Sequence, residues 1–361
     1  MTYDEFRRAR YFDSLTGLRA IAVSLVLVNH YAGKSGDFLM GWLGVQIFFV
    51  LSGFLITTLL LREHDDTGSV SLINFYVRRA FRIFPVYYLI FAVLLWQAFN
   101  MGGERWDTLV KALPYYLTFN NEQFGATSWR ITWTLGIEWK FYLLWPFLAF
   151  VVARGPRSRF AIGIFTMIVL VCTWRGHFVG PAHYSVLLAG ALLAMVMHDR
   201  RLYRIVQPLT TPVVSTSVCV AFAVMQFYLT DIRNWMGNPN DGPFDNLYGL
   251  MVCLLLPAIL GDGLPRKVLS SKPFKFVGDR SYSLYLIQIS VAEAASGFAI
   301  WRQWNFEFML IVLAFGLIVA DFLYRYVEKP MIRVGHRIEG AVARLKKAPH
   351  GITAARMTSG E

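Results

Sequence analysis

Apolar side chains fall in ten long blocks separated by short polar ones, at 15–33, 41–61, 84–99, 131–153, 160–174, 183–198, 211–230, 247–261, 281–300 and 306–327. A helix crossing a bilayer core takes about 20 residues, with about 17–25 usual. The blocks at 160–174, 183–198 and 247–261 are short by that measure, so their ends are poorly defined. The pattern predicts an all-α, polytopic transmembrane helical bundle of about ten spans. It occupies residues 1–345 as one membrane domain, followed by a polar cytoplasmic tail at 346–361 whose composition predicts disorder. The longest outer loop, 100–130, holds "LVKALPYYLTFN", which suits a short helix at the interface. The stretch "DIRNWMGNPNDGPFDN" (231–246), rich in Asn, Asp, Gly and Pro, predicts irregular structure. No internal repeat is visible, which weighs against the repeat-built transporters.

Composition agrees with the pattern. Hydrophobic residues make up 56% of the 361 positions and charged residues 16%, against about 25% charged in soluble domains. The net charge of +12 would suit nucleic acid if it were clustered, but its placement follows the spans. With the N-terminus inside, the inner segments hold 25 of the 35 Lys and Arg residues and the outer loops 7. Retention of positive charge in the cytoplasm explains this alternation. The basicity is topology, not nucleic-acid binding, and both termini are expected in the cytoplasm. Cys172, Cys219 and Cys253 all lie in apolar blocks, which predicts buried thiols rather than disulfides. "MTYDEFRRARYFDS" lacks a cleavage site, so the first span is expected to serve as its own insertion signal.

Polar residues inside the blocks carry the chemistry. Arg19 and His30 share the first block. Eleven residues return to within about 20° of the same helix face and rise about 16 Å, so one stripe bears a guanidinium near the inner end and an imidazole near the outer. Intramembrane ionisable groups usually mark a site or pathway; snorkelling and a satisfied interfacial histidine are the bland alternatives. In "NFYVRRAFRIFPVYY" (74–88), Arg79 and Arg82 share a face and Arg78 lies to the side. Paired guanidinium forks suit phosphate, although positive-inside bias alone would also place arginines here. In "SWRITWTLGIEWKFYLLWP" (128–146), Glu138 enters its block at about the depth of His30. The two are expected to face one outward-opening cavity, the carboxylate fixing the imidazole tautomer or raising its basicity. A local pair with Lys140 or Arg130 is the duller possibility. Trp129, Trp133, Trp139 and Trp145 read mainly as interface anchors, with room for one or two to stack on a sugar.

Six ordered motifs give the chain a specific resemblance. "LTGLRAIAVSLVLVNH", "GWLGVQIFFVLSGFLITTLL", "FYVRRAFRIFPVYY", "WTLGIEWKFYLLWP", "SYSLYLIQIS" and "YRYVEKPM" resemble the acyltransferase 3 family over roughly residues 12–335. Members are integral membrane enzymes that move acyl groups, usually acetyl, onto sugar hydroxyls. Departures occur at Gln288, where relatives often carry histidine, and at Trp139 and Lys140 after the glutamate. They blur acceptor identity more than reaction type. The SGNH-hydrolase-like domain that some relatives append is not expected within these 361 residues.

The resemblance implies a plasma-membrane O-acyltransferase, transferring groups other than amino-acyl groups from cytoplasmic acyl-CoA to a hydroxyl of a glycan or glycosylated acceptor at the outer face. Acetyl-CoA is the expected donor and no metal is implied. Arg79 and Arg82, with Arg19, would grip the donor phosphates. His30 would act as base or transient acyl carrier, and Glu138 would orient it. Ser52 and Tyr142 are candidates for oxyanion or positioning roles, although "SGF" at Ser52 equally suits close helix packing. A transporter or flippase for a lipid-linked sugar is the alternative, and a membrane scaffold is weaker still.

Overall fold

The computed structural model describes residues 1–9, 11–123, 129–172, 180–237, 241–297 and 305–347. Among these residues the chain is helical throughout, with no strand. In order the helices are α1 (Tyr3–Arg8), α2 (Asp13–Tyr31), α3 (Gly44–Thr67), α4 (Leu72–Met101), α5 (Gly103–Leu117), α6 (Trp133–Phe147), α7 (Pro156–Cys172) and α8 (Gly180–His198). They continue with α9 (Arg200–Val206), α10 (Pro212–Phe227), α11 (Leu229–Trp235), α12 (Asp241–Leu260), α13 (Leu264–Leu269), α14 (Lys272–Gly297), α15 (Phe306–Leu323) and α16 (Lys329–Lys347). α15 and α16 join through a π-type turn at Tyr324–Glu328.

Six helices among the described residues are long and apolar enough to cross a membrane, or seven if α9 and α10 count as one span bent by 72°. The ten blocks read from sequence therefore do not all become spans of this kind. α10 has 16 residues and α7 has 17. α2 and α14 carry too many polar groups to pass, and they lie in the bundle interior instead. The predicted irregular stretch at 231–246 is partly helical, since α11 and α12 extend into it from either side; 238–240 lie outside the described residues. The predicted tail at 346–361 lies outside them too, apart from its first two residues, which continue α16.

The outer surface is apolar where lipid would touch it. Phe165 and Ile168 on α7, Val213 and Val224 on α10, and Phe315, Ile318 and Phe322 on α15 are all exposed. The interior is built from α2, α3, α6, α8 and α14. α3 and α8 cross with small residues in register: a side chain at Gly53 would strike the backbone of Leu187, and one at Gly190 would strike that of Val50. Such contacts let two helices approach closely where lipid gives no hydrophobic drive.

Four contacts, two for each pair of helices, fix how the interior helices run. Asp13 pairs with Lys275 at 2.8 Å and His30 meets Gln288 at 3.0 Å, so α2 and α14 are parallel. Gln46 meets His183 at 3.2 Å and Asp65 meets His198 at 2.6 Å, so α3 and α8 are parallel as well. One end of the bundle thus gathers the start of α2 and α14, the start of α4, and the finish of α3 and α8. The opposite end holds His30, Gln46 and His183.

Candidate functional site

α4 has 30 residues, about 45 Å at 1.5 Å per residue, well beyond a hydrocarbon core of about 30 Å. Its arginines occupy the first three turns and therefore stand near that end of the bundle. They do different work. Arg78 pairs with Glu63 at 2.9 Å and with Glu339 of α16, clamping α3, α4 and α16 together. Arg79 and Arg82 turn inward and line a cavity of about 280 Å³. Arg19 of α2 lines it from the other side, as do Ser52, Glu138, Tyr142, Asp279 and Glu328.

Among the described residues, neither Arg19, Arg79 nor Arg82 has a hydrogen bond or an ion-pair partner within 4 Å. Arg79 rests against the rings of Phe75 and Tyr142, 5.6 and 6.0 Å from their centroids. Arg82 repels both other guanidinium groups, while Glu138 and Glu328 offset Arg19 through space. Ser52 donates to Glu138 Oε1 at 2.6 Å, and Tyr142 donates to Ser52 Oγ at 3.3 Å. Glu328 accepts from Ser283 at 3.1 Å and is buried. It closes the π-type turn, a widening that re-aims side chains and often occurs at functional sites.

His30 lines a second cavity of about 190 Å³, with Trp42, Gln46, Arg130, Trp133 and His183 among its walls. Val45 and Tyr285 line both cavities, so the two abut. Tyr285 is pinned there, donating to Ile131 O at 2.7 Å and accepting from Thr134 Oγ1 at 3.1 Å.

The imidazole partner differs from the one expected. Glu138 belongs to the arginine cavity and bonds Ser52, whereas His30 Nδ1 meets Gln288 Oε1 at 3.0 Å. Gln288 Nε2 donates to the carbonyl of Tyr285 at 3.0 Å. That bond fixes which way the amide points. Its oxygen can only accept, so Nδ1 of His30 carries the hydrogen and Nε2 keeps its lone pair. Glu138 forms neither local pair: Lys140 is bound by Glu122, and Arg130 lines the other cavity.

The tryptophans also depart from expectation. Trp129 is buried between Tyr87, Phe91 and Tyr116 and donates to Leu286 O at 3.0 Å. Trp145 is buried too and donates to Thr57 at 2.8 Å. Both brace the interior rather than the lipid interface, because each indole N–H finds a partner inside. Trp139 packs on Phe84 and Phe119. Only Trp133 of the four lines the His30 cavity. The "SGF" segment is both things at once: Gly53 supplies close packing, and its neighbour Ser52 faces the arginine cavity.

Sequence reasoning did not single out Glu328, Gln46 or His183. It noted Gln288 only as a departure at a position where relatives often have histidine, and that departure was the available signal. Gln46 and His183 lie in two blocks separated by 137 positions, with nothing local to couple them.

Comparison with known proteins identifies the family. The signature of an acyltransferase domain matches residues 12–325. A peptidoglycan O-acetyltransferase, OatA, of Listeria monocytogenes is 26% identical over 90% of this chain and 56% of its own length. The O-acetyltransferase OatA of Staphylococcus aureus strain NCTC 8325 is 27% identical over 91% of this chain and 58% of its own length. The chain spans a little under three fifths of the length of the curated relatives it matches. No solved structure matches it. On the match over residues 12–325, the chain is a multi-pass membrane protein that belongs to the acyltransferase 3 family.

Proposed function

We propose that this chain is a plasma-membrane O-acyltransferase that takes an acetyl group from cytoplasmic acetyl-CoA and delivers it to a hydroxyl of a glycan or glycosylated acceptor near the outer face. One observation carries the reading. Three guanidinium groups without close partners line a cavity that abuts the cavity of a histidine with a free Nε2. Guanidinium groups with no ion-pair partner within 4 Å among the described residues keep their donors free for a multiply charged anion, and guanidinium forks suit phosphate. In this reading the arginine end faces the cytoplasm, which agrees with the basic segments 1–15, 62–82, 199–210 and 262–280 gathered there. The topology is then ten passages with both termini inside, α2 and α14 crossing as shielded polar helices.

Arg19, Arg79 and Arg82 hold the phosphates of the donor, and the pantetheine arm passes Val45 and Tyr285 toward His30. Nε2 of His30 accepts the hydroxyl proton of the acceptor as its oxygen attacks the thioester carbonyl. The carbon–oxygen bond forms, the carbon–sulfur bond breaks, and the proton passes to the departing thiolate. A route through an acetylated imidazole uses the same atoms in two steps. Gln288 holds the tautomer. Glu138, with Ser52 and Tyr142, spaces the arginines and shapes the passage; it does not charge the histidine. The name of the Listeria relative supports a cell-wall glycan as one acceptor.

The test is incubation of purified protein with acetyl-CoA labelled in the acetyl group. Turnover or hydrolysis that disappears in His30→Ala, with the variant still eluting as folded protein, is the expected result. A wild-type protein that moves a lipid-linked sugar across vesicles while leaving acetyl-CoA untouched would instead establish the flippase.

A further inference from the structure

The His30 cavity contains a second histidine to which the acyl-transfer reading gives no task. His183 comes from α8 and is only 4% exposed, and Gln46 of α3 is 1% exposed. Nδ1 of His183 lies 3.2 Å from Gln46 Nε2 and 3.5 Å from Asp245 Oδ2. On the opposite sides of these two groups, His183 Nε2 and Gln46 Oε1 are buried without a hydrogen-bond partner among the described residues. Both side chains line the cavity.

An unpaired buried polar atom costs about 1–3 kcal/mol, and native proteins hold few of them. Two in one cavity wall point to something that binds there. With Gln46 donating to Nδ1, the ring hydrogen of His183 sits on Nε2. The wall then offers one donor, the Nε2 hydrogen, and one acceptor, Gln46 Oε1. A hydroxyl group satisfies both, since it accepts and donates at once.

The surroundings narrow the class of molecule. Trp133 covers the His183 ring at a centroid distance of 4.7 Å, and Trp42 lines the same cavity. Flat apolar faces beside polar tips suit a ring that has carbon–hydrogen faces and hydroxyl edges. At about 190 Å³ the space is smaller than the roughly 300–1,000 Å³ of drug-sized sites and suits one ring rather than a chain of them. Building on the acyl-transfer reading, we propose that Gln46 and His183 form the acceptor subsite. They bind a hydroxyl next to the one being acetylated on a polyol ring, and so position the attacking oxygen at His30. They are positioning residues.

The experiment follows release of CoA thiol from acetyl-CoA by the full chain in detergent. The added acceptors are methyl β-D-glucopyranoside and its monodeoxy analogues. The glycoside is expected to accelerate thiol release, and at least one deoxy analogue to show an acceptor KM about tenfold higher, the loss of one good hydrogen bond. Gln46→Leu and His183→Leu should each raise the parent glycoside's KM about tenfold and abolish discrimination against that analogue, with acetyl-CoA KM within twofold of wild type. Gln46→Glu, which keeps an acceptor oxygen but loses the amide donor that places the His183 hydrogen on Nε2, should not restore discrimination. Folding is read from elution and thermal midpoint; should the leucine variants fail, Gln46→Asn and His183→Gln carry the same comparison. Folded variants with unchanged acceptor KM or retained discrimination overturn the subsite. A wild type that hydrolyses acetyl-CoA but ignores every glycoside overturns the polyol assignment alone. A wild type that leaves acetyl-CoA intact overturns the acyl-transfer reading beneath it.

Discussion

The two cavities meet at Val45 and Tyr285 and could hardly be built more differently. The arginine cavity is built on charge: three guanidinium groups face inward, carboxylates of Glu138 and Glu328 lie among them, and no close pair among the described residues quenches the cations. The histidine cavity works by hydrogen-bond direction: a backbone carbonyl orients an amide, which orients an imidazole. Charge acts at a distance and tolerates a moving polyanion. A tautomer is set only by contact and must be held still. Under the proposed function, binding and chemistry fall to different cavities, and mutations should separate them too.

The largest separation is expected from His30→Ala. Removing a general base costs about 10²–10⁴-fold, so transfer should fall by that factor with the acetyl-CoA dissociation constant unchanged, as titration calorimetry would show. Loss of donor binding instead would mean that the imidazole belongs to the arginine cavity's work. Next comes the double variant Arg79→Ala with Arg82→Ala. Charge-assisted hydrogen bonds contribute about 1.5–3 kcal/mol each, so acetyl-CoA KM should rise by at least about tenfold while acceptor KM stays put. An acceptor KM that moves in step would dissolve the comparison.

Gln288→Leu is expected to lower kcat by about tenfold, because the imidazole would lose the bond that selects its tautomer. Gln288→Glu, which keeps an oxygen acceptor for Nδ1, should recover most of that loss; equal damage in both would show that Gln288 acts only by packing. Arg78→Ala makes the smallest change. It removes ion pairs whose side chains are about a quarter exposed, each worth about 0–1 kcal/mol. Its thermal midpoint should drop slightly with both KM values intact. A donor KM effect as large as that of Arg79 and Arg82 would place Arg78 in the grip as well.

Much of the arginine cavity was legible along the chain. Arg79 and Arg82 share a face because they are three residues apart, and Arg78 leaves that face by the same helical arithmetic. Arg19 and His30 fall on one stripe of α2, and the helix carries one to each cavity. The depth argument for Glu138 failed because similar depth does not mean a shared face: α6 turns its carboxylate to Ser52. The indole anchors failed in a related way. A tryptophan near a span end reads as interfacial until an inner partner is found for its N–H, as Leu286 and Thr57 provide here.

By itself the sequence determined what is local: helices, their apolar lengths, the faces of a three- or eleven-residue spacing, and the family pattern that six ordered motifs carry. These follow from backbone periodicity and from the cost of polar groups in hydrocarbon, both of which act within one helix. Tertiary packing alone decided which faces meet. Gln288 reaches His30 across 258 positions and Gln46 reaches His183 across 137. Those meetings depend on α2 running parallel to α14 and α3 on α8, which small residues at the crossings permit and no spacing within a single helix encodes.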